Sequence, residues 1–182
     1  MKAMAEHEVY LSLGSNLGDR AENLRQGLRL LAQGGVQLQA ISRVYQTAPW
    51  GGVPQPDFYN LAALVSTDLP PPPLLQLAKA VEQKVGRQPG LRWGARVLDI
   101  DILLYKELTF SAEWLKIPHV DMHRRAFVLI PLLELAPQLE IPGRGCAAQL
   151  LAALPPAERM GVVPVLDLPD FKPLVEAAST EI

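Results

Sequence analysis

The sequence predicts an α+β fold in which a four-stranded antiparallel sheet carries two helices on one face. Two segments show the alternating polar and apolar pattern of half-buried strands, two further segments are strand candidates, and two segments between these strands have apolar residues at helical spacing. Their order is strand–helix–strand–strand–helix–strand. This βαββαβ order is the split βαβ, ferredoxin-like arrangement.

The first strand is predicted at residues 8–14, where polar and apolar residues alternate, and a turn follows at 14–19. Leu24, Leu28 and Leu31 then recur at helical spacing until Gly34 and Gly35 end the helix. Alternation returns at residues 36–47 and predicts the second strand.

A loop rich in Gly and Pro at residues 49–56 leads into the third predicted strand, 58–67. Prolines 70–73 can open a helix but not continue one, so the second helix begins there and ends at Gly86. The fourth strand is predicted at 97–105. Residues 127–135 and 146–154 predict the C-terminal helical additions, and the last 28 residues, from Pro155, carry no recognisable motif. Residues 143–182 are expected to form a C-terminal extension.

Composition limits the class of protein. With 182 residues, the chain is long enough for one domain and too short for two ordinary ones, so we expect a single domain over residues 1–182. A net charge of −2 argues against a nucleic-acid binder. The single cysteine, Cys146, excludes an internal disulfide and fits a reducing compartment. Without an apolar leader or an 18-residue apolar run, we expect a cytoplasmic monomer that binds no membrane.

Asp99 and Asp101 are the strongest candidate functional residues. On a strand, residues two apart point to the same face, roughly 6–7 Å apart at ~3.3 Å per residue. The neighbouring apolar residues are predicted to fill the opposite, buried face: Leu98, Ile100, Ile102 and Leu104. Two adjacent carboxylates repel each other, and Mg²⁺ offsets that repulsion while drawing its other ligands from water and phosphate. An exposed strand face with two solvated acids is the alternative.

Cationic residues precede and follow these aspartates. The first group is Lys84, Arg87, Arg92 and Arg96, in a stretch punctuated by glycines. The second group is Lys116, His119, His123, Arg124 and Arg125. A cationic loop entering a strand with two carboxylates suits a metal–polyphosphate ligand, with arginines on the phosphate oxygens. A surface loop that is merely basic is the alternative.

Aromatic residues cluster around the Gly- and Pro-rich loop. Trp50, Phe58 and Tyr59 surround it, Asn60 follows directly, and Phe127 lies beyond the second cationic group. Flat aromatic faces together with an amide suit a planar heterocycle, although aromatics near strand ends are more often core residues. The chain contains neither a Walker A loop nor a GxGxxG turn.

Together these residues resemble the 6-hydroxymethyl-7,8-dihydropterin pyrophosphokinase family of folate biosynthesis. The matching motifs, in order between residues 9 and 142, are LGSNLGDR (13–20), YQTAPWG (45–51), QPDFYN (55–60), RWGARVLDIDIL (92–103), IPH (117–119) and RAFVLIPLLELAP (125–137). The resemblance implies a ferredoxin-like fold and transfer of the pyrophosphoryl group of ATP to the pterin's hydroxymethyl oxygen, with release of AMP.

The resemblance also implies roles for single residues. Asp99 and Asp101 would bind two Mg²⁺ ions and, with Arg87 and Arg96, form the catalytic set. The implied ATP-binding residues are Glu82, Arg87, Arg92, Trp93, Arg96, Ile102, Leu115, Lys116, His119 and Arg125. The implied pterin-binding residues are Thr47, Ala48, Trp50, Phe58, Asn60 and Phe127, with the two phenylalanines stacking on the pterin and Asn60 reading its polar edge.

Two other functions remain open from the sequence. An RNA-binding module would place aromatics and cations on the central strands, where Asp99 and Asp101 would repel a phosphate backbone. Another Mg²⁺–nucleotide transferase with an Asp-x-Asp motif, such as a glycosyltransferase, would need a longer chain with a Rossmann-like opening.

Overall fold

The computed structural model describes residues 7–49, 52–88 and 94–178. The strands are β1 (His7–Ser15), β2 (Gln37–Ile41), β3 (Tyr45–Thr47), β4 (Phe58–Thr67), β5 (Asp99–Tyr105), β6 (Phe110–Ala112), β7 (Leu115–Ile117), β8 (Glu140–Ile141), β9 (Gly145–Cys146) and β10 (Val163–Pro164). The helices are α1 (Arg20–Gln33), α2 (Pro71–Val85), α3 (Ala126–Leu135), α4 (Ala147–Ala153), α5 (Pro156–Met160) and α6 (Lys172–Ala178), with a 3-10 turn at Met122–Arg124.

The main sheet is antiparallel and has six strands rather than the predicted four. Its order is β10-β3-β4-β1-β5, and β2 also pairs with β4. The single strand predicted at 36–47 is divided into β2 and β3. Between them, Ser42 N donates to Ala62 O, and Ala62 N donates to Ser42 Oγ, both at 2.9 Å. A side chain thus replaces one backbone partner, which interrupts the strand.

Helices α1 and α2 pack on one face of this sheet, as predicted. The largest core cluster joins Leu24 and Leu28 of α1 and Leu74 of α2 to Leu11 and Ile100 of the sheet. Asp19 caps α1, since its carboxylate accepts a hydrogen bond from Glu22 N at 3.0 Å.

Helices α3 and α4 cover the opposite face through a second core cluster. The prediction that Leu104 shares a face with Ile100 and Ile102 is wrong. The register between β1 and β5 shifts after Tyr10, which leaves Leu103 as an extra residue on β5. The bulge brings Leu104 into the second cluster.

The C-terminal segment, which carried no sequence signal, completes the sheet and the core. Strand β10 pairs with β3, and α6 packs against β2 and α1. Phe171 is buried in the main core, beneath the Arg25 guanidinium at 4.7 Å. Among the described helices, none combines the length and hydrophobicity that a membrane span requires.

Candidate active site

A cavity of about 270 Å³ lies on the face of the sheet opposite α1 and α2. Ten of the residues implied by the resemblance line it: Thr47, Ala48, Phe58, Asn60, Arg96, Asp99, Asp101, His119, Arg125 and Phe127. The lining also includes six residues that are not among the implied site residues: Ser12, Gly14, Gln55, Gly94, Val120 and Asp121. The candidate site is therefore one continuous cavity with a charged and an aromatic part.

Strand β5 presents Asp99 and Asp101 to the cavity because Ile100, between them, is fully buried on the other face. Burial, followed by repulsion from Asp99, raises the pKa of the Asp101 carboxyl above its ordinary value. His119 Nε2 lies 4.0 Å from Asp101 Oδ2 and partly offsets this effect. Such a pair of carboxylates fits a divalent cation.

Two arginines converge on one oxygen of Asp99. Asp99 Oδ1 accepts hydrogen bonds from Arg96 at 2.6 Å and from Arg87 at 3.0 Å. The backbone of Arg96 is fixed in turn by Asn16, whose Oδ1 accepts from Arg96 N at 2.7 Å and whose N donates to Arg96 O at 3.0 Å. The buried Asn16 therefore positions Arg96. This role was not predicted from the sequence, where the only feature that includes Asn16 is the LGSNLGDR motif.

The buried Glu82 forms an ion pair with Arg87. Its side chain is 1% exposed, and it accepts hydrogen bonds from Arg87, from Lys79 and, at 2.8 Å, from Ile100 N. Neither Glu82 nor Arg87 lines the cavity. Glu82 thus lies between α2 and β5, and its hydrogen bonds connect Arg87 to Ile100, the residue between Asp99 and Asp101.

The 3-10 turn brings His119, Asp121 and Arg125 to the cavity. His119 Nδ1 accepts a hydrogen bond from Asp121 N at 3.2 Å, so the neutral ring carries its proton on Nε2, the atom nearer Asp101. Arg125 lies 3.3 Å from the Asp121 carboxylate and is 8% exposed. This wall offers one N–H donor and one cation to a ligand.

The opposite part of the cavity is flat and mainly uncharged. Asn60 Nδ2 donates to Thr47 Oγ1 at 2.7 Å, and both residues are buried. A Cβ at Gly14 would lie 2.8 Å from Asn60 Oδ1, so glycine is required for this close approach. With Phe58 and Phe127 also lining this part, it offers aromatic faces and an amide edge.

Other implied residues lie elsewhere. Ile102 and Leu115 are buried in the main core, 2% and 8% exposed, and Lys116 is exposed on β7. None of the three lines the cavity. Trp50, Arg92 and Trp93 lie outside the described residues.

Residues 10–137 match the family model of 7,8-dihydro-6-hydroxymethylpterin-pyrophosphokinase. A 2-amino-4-hydroxy-6-hydroxymethyldihydropteridine pyrophosphokinase of Methylorubrum extorquens is 43% identical over 150 residues, 82% of this chain and 94% of that protein. The enzyme of that name from Pseudomonas aeruginosa is 43% identical over 148 residues, 81% of this chain and 91% of the relative.

Larger proteins contain a similar region. The mitochondrial folate synthesis bifunctional protein of Arabidopsis thaliana is 45% identical over 130 residues, 71% of this chain and only 24% of that protein. The crystal structure of wild-type Plasmodium falciparum HPPK-DHPS with pteroate matches 84% of this chain and 43% of that one, with a TM-score of 0.65 and 16% identity, which shows the fold alone. On the family match and the two bacterial enzymes of similar length, the chain belongs to the 7,8-dihydro-6-hydroxymethylpterin-pyrophosphokinase family.

Proposed function

We propose that the chain transfers the pyrophosphoryl group of ATP to the hydroxymethyl oxygen of 6-hydroxymethyl-7,8-dihydropterin, which gives the pterin diphosphate and AMP in tetrahydrofolate biosynthesis. The observation that carries this function is the division of a single cavity. Carboxylates and cations line one part, and two phenylalanines with a buried amide line the other. A polyphosphate and a planar heterocycle can therefore meet beside Asp99 and Asp101.

The pterin occupies the aromatic part in this proposal. Phe58 and Phe127 stack on its ring, which suits the electron distribution of a flat heterocycle. Asn60 Nδ2 is already committed to Thr47 Oγ1, so Asn60 Oδ1 accepts from the N–H groups of the pterin edge. Ala48, exposed beside Thr47, and Trp50 complete the proposed pterin set.

Asp99 and Asp101 would hold Mg²⁺. The described residues contain no group of three or more ligating side chains, so the remaining ligands would be water and phosphate oxygens, as Mg²⁺ prefers. When bound, Mg²⁺ neutralises phosphate charge and lowers the pKa of a coordinated hydroxyl. Burial and repulsion from Asp99 disfavour the charged form of the Asp101 carboxyl and raise its pKa, and a bound cation would offset both effects.

The remaining side chains align ATP. Phosphoryl-type transfer requires mainly positioning and charge neutralisation from the protein. Arg87 and Arg96 exchange Asp99 for phosphate oxygens, to which a guanidinium binds through two parallel N–H groups. His119, through Nε2–H, and Arg125 contact the polyphosphate from the opposite wall.

In this proposal, the adenine of ATP binds near the contact between β5 and β7. Ile102 and Leu115 belong to the same apolar cluster there, and Lys116 is exposed beside them. The roles of Arg92 and Trp93 at ATP rest on the resemblance. Glu82 acts on ATP through Arg87.

We also propose that residues 1–182 form one monomeric domain of the ferredoxin-like type, with 143–182 as an extension. The strand order β5-β1-β4-β2, with α1 and α2 on one face, supports the fold. A net charge of −2 supports the absence of nucleic-acid binding, and the lone cysteine supports a cytoplasmic location.

The test is turnover of Mg-ATP with and without the pterin, followed by phosphorus NMR. AMP and a pterin diphosphate that form only when both substrates are present support the proposal. ADP would instead indicate transfer of a single phosphoryl group, and the absence of any turnover would contradict the function.

A further inference from the structure

The C-terminal segment 161–165 lies along the strand that forms one wall of the cavity. The antiparallel register of β10 and β3 places Val163 opposite Gln46, and Val165 N donates a hydrogen bond to Val44 O at 2.9 Å. This segment follows the residues that match the family model, 10–137.

Val162 belongs to an apolar cluster that borders the aromatic part of the cavity through Phe127. It is 9% exposed and forms a small apolar cluster with Tyr45 and Ala126, separate from the two larger cores. Tyr45 lies two residues before Thr47 on β3, and Ala126 directly precedes Phe127 on α3. The partly buried members of this cluster are Phe127, Ile130, Leu151 and Leu154. Val162 therefore belongs to the same apolar cluster as Tyr45 and Ala126, the residues that lie next to Thr47 and Phe127 in the two walls.

A hydrogen bond joins the same two elements. Tyr45 Oη donates to Glu134 Oε2 on α3 at 2.7 Å. Burial and the bond to this carboxylate raise the pKa of Tyr45 to about 12, so the phenol keeps its proton. This hydrogen bond joins β3 to α3, and Val162 shares an apolar cluster with one residue of each element. Removing methyl groups there allows Tyr45 and Ala126 to shift, because packed interiors transmit changes of volume.

We propose that Val162 is a positioning residue for the pterin: it sets the spacing between Thr47 on β3 and Phe127 on α3, and with it the affinity for the heterocycle. The inference rests on the proposed function, because the ligand concerned is the pterin. ATP contacts the other part of the cavity, so its affinity is independent of Val162.

Three variants of the full chain separate position from stability. Val162→Ala removes the packing volume. Val162→Thr keeps the shape but buries a hydroxyl in the apolar cluster, which destabilises the fold without changing the spacing. Val163→Ala is the matched control, since Val163 lies on the same strand but is 53% exposed.

The experiment measures the Kd for 6-hydroxymethyl-7,8-dihydropterin, the Kd for a non-hydrolysable Mg-ATP analogue, and steady-state kinetics, with Tm recorded for every variant. For Val162→Ala, we expect the pterin Kd and KM to rise about fivefold, with kcat and the nucleotide Kd unchanged. Val162→Thr should lower Tm but keep the wild-type pterin Kd. The control Val163→Ala should also keep the wild-type pterin Kd.

Other outcomes overturn the inference. A pterin Kd that follows Tm across the variants would show a purely structural role, and equal weakening of nucleotide and pterin would show general loosening. If Val162→Ala does not fold, Val162→Thr alone decides. A rise in its pterin Kd that accompanies its fall in Tm would also overturn the inference. If the wild-type chain does not bind the pterin, the proposed function fails too, whereas wild-type binding with an unaffected Val162→Ala contradicts this inference alone.

Discussion

Asp99 Oδ1 and the Arg96 guanidinium lie 2.6 Å apart, and Arg87 reaches the same oxygen at 3.0 Å. A carboxylate proposed to bind metal thus holds the two arginines proposed to bind phosphate. In the structure, these opposite charges satisfy one another. If polyphosphate and Mg²⁺ bound together, each side would gain a partner of opposite charge, so the exchange would leave none of these partly buried charges unpaired.

Replacing Arg96 should affect turnover more than pterin binding. Arg96→Ala removes a charge that opposes the developing negative charge on the transferred group, and we expect kcat to fall about 100-fold. The pterin Kd should change less than threefold, or roughly 0.6 kcal/mol. Rapid-quench kinetics and pterin titration check this, with the exposed Arg29→Ala on α1 as the control. A large loss of pterin affinity with normal chemistry would reassign Arg96.

Asp101 should make stability depend on pH in the absence of Mg²⁺. Its folded-state pKa lies above the ordinary value of 3.8, so the folded state keeps a proton that the unfolded chain releases. Stability therefore falls as pH rises from about 3.8 through the folded-state pKa. Asp101→Asn should lack this decline and, near neutral pH, melt about 2 °C higher than the wild type. Thermal unfolding in EDTA across pH 4–8 measures both effects, and an unchanged pH profile for the variant would contradict the account.

Glu82 should stabilise the fold through its buried bonds. Glu82→Ala leaves Ile100 N without its acceptor and Arg87 without one of its two carboxylates, and we expect a loss of about 2 kcal/mol in the free energy of unfolding. Glu82→Gln keeps an acceptor for Ile100 N and should lose less. Urea unfolding checks the order, and equal losses for the two variants would show that the amide acceptor does not replace the carboxylate at Ile100.

Removing a phenylalanine that lines the cavity should weaken pterin binding more than removing an aromatic residue elsewhere. Phe58→Ala removes one stacking face and should raise the pterin Kd about tenfold, given about 1.4 kcal/mol for the lost aromatic contact. Phe110→Ala is the matched control, because Phe110 pairs with Trp114 and does not line the cavity. Isothermal titration measures both. Similar losses for the two variants would remove Phe58 from the pterin site.

Much of the main sheet could be predicted because its signals are local. Alternation along residues 8–14, and helical spacing at Leu24, Leu28 and Leu31, depend only on neighbours in sequence. The break at Ser42 and the pairing of β10 could not be predicted. The first depends on bonds to Ala62, and the second on two residues that meet a strand more than 100 positions away.

The same distinction holds for the candidate site. The two-residue spacing of Asp99 and Asp101 predicts that they share a face, and the cavity contains both. The spacing does not predict that Arg87 and Arg96 bond one oxygen, because the loop conformation decides it. Nor does it predict that Asn16 fixes Arg96, a contact between residues 80 positions apart.

AMP formation by Asp101→Ala, with pterin binding measured on the same preparation, tests the central claim most directly. The claim is that two substrates meet at the carboxylate pair on β5. It predicts that turnover falls at least about 1,000-fold at saturating Mg-ATP and pterin, while the variant stays folded and binds the pterin as the wild type does. Turnover close to that of the wild type would contradict the claim.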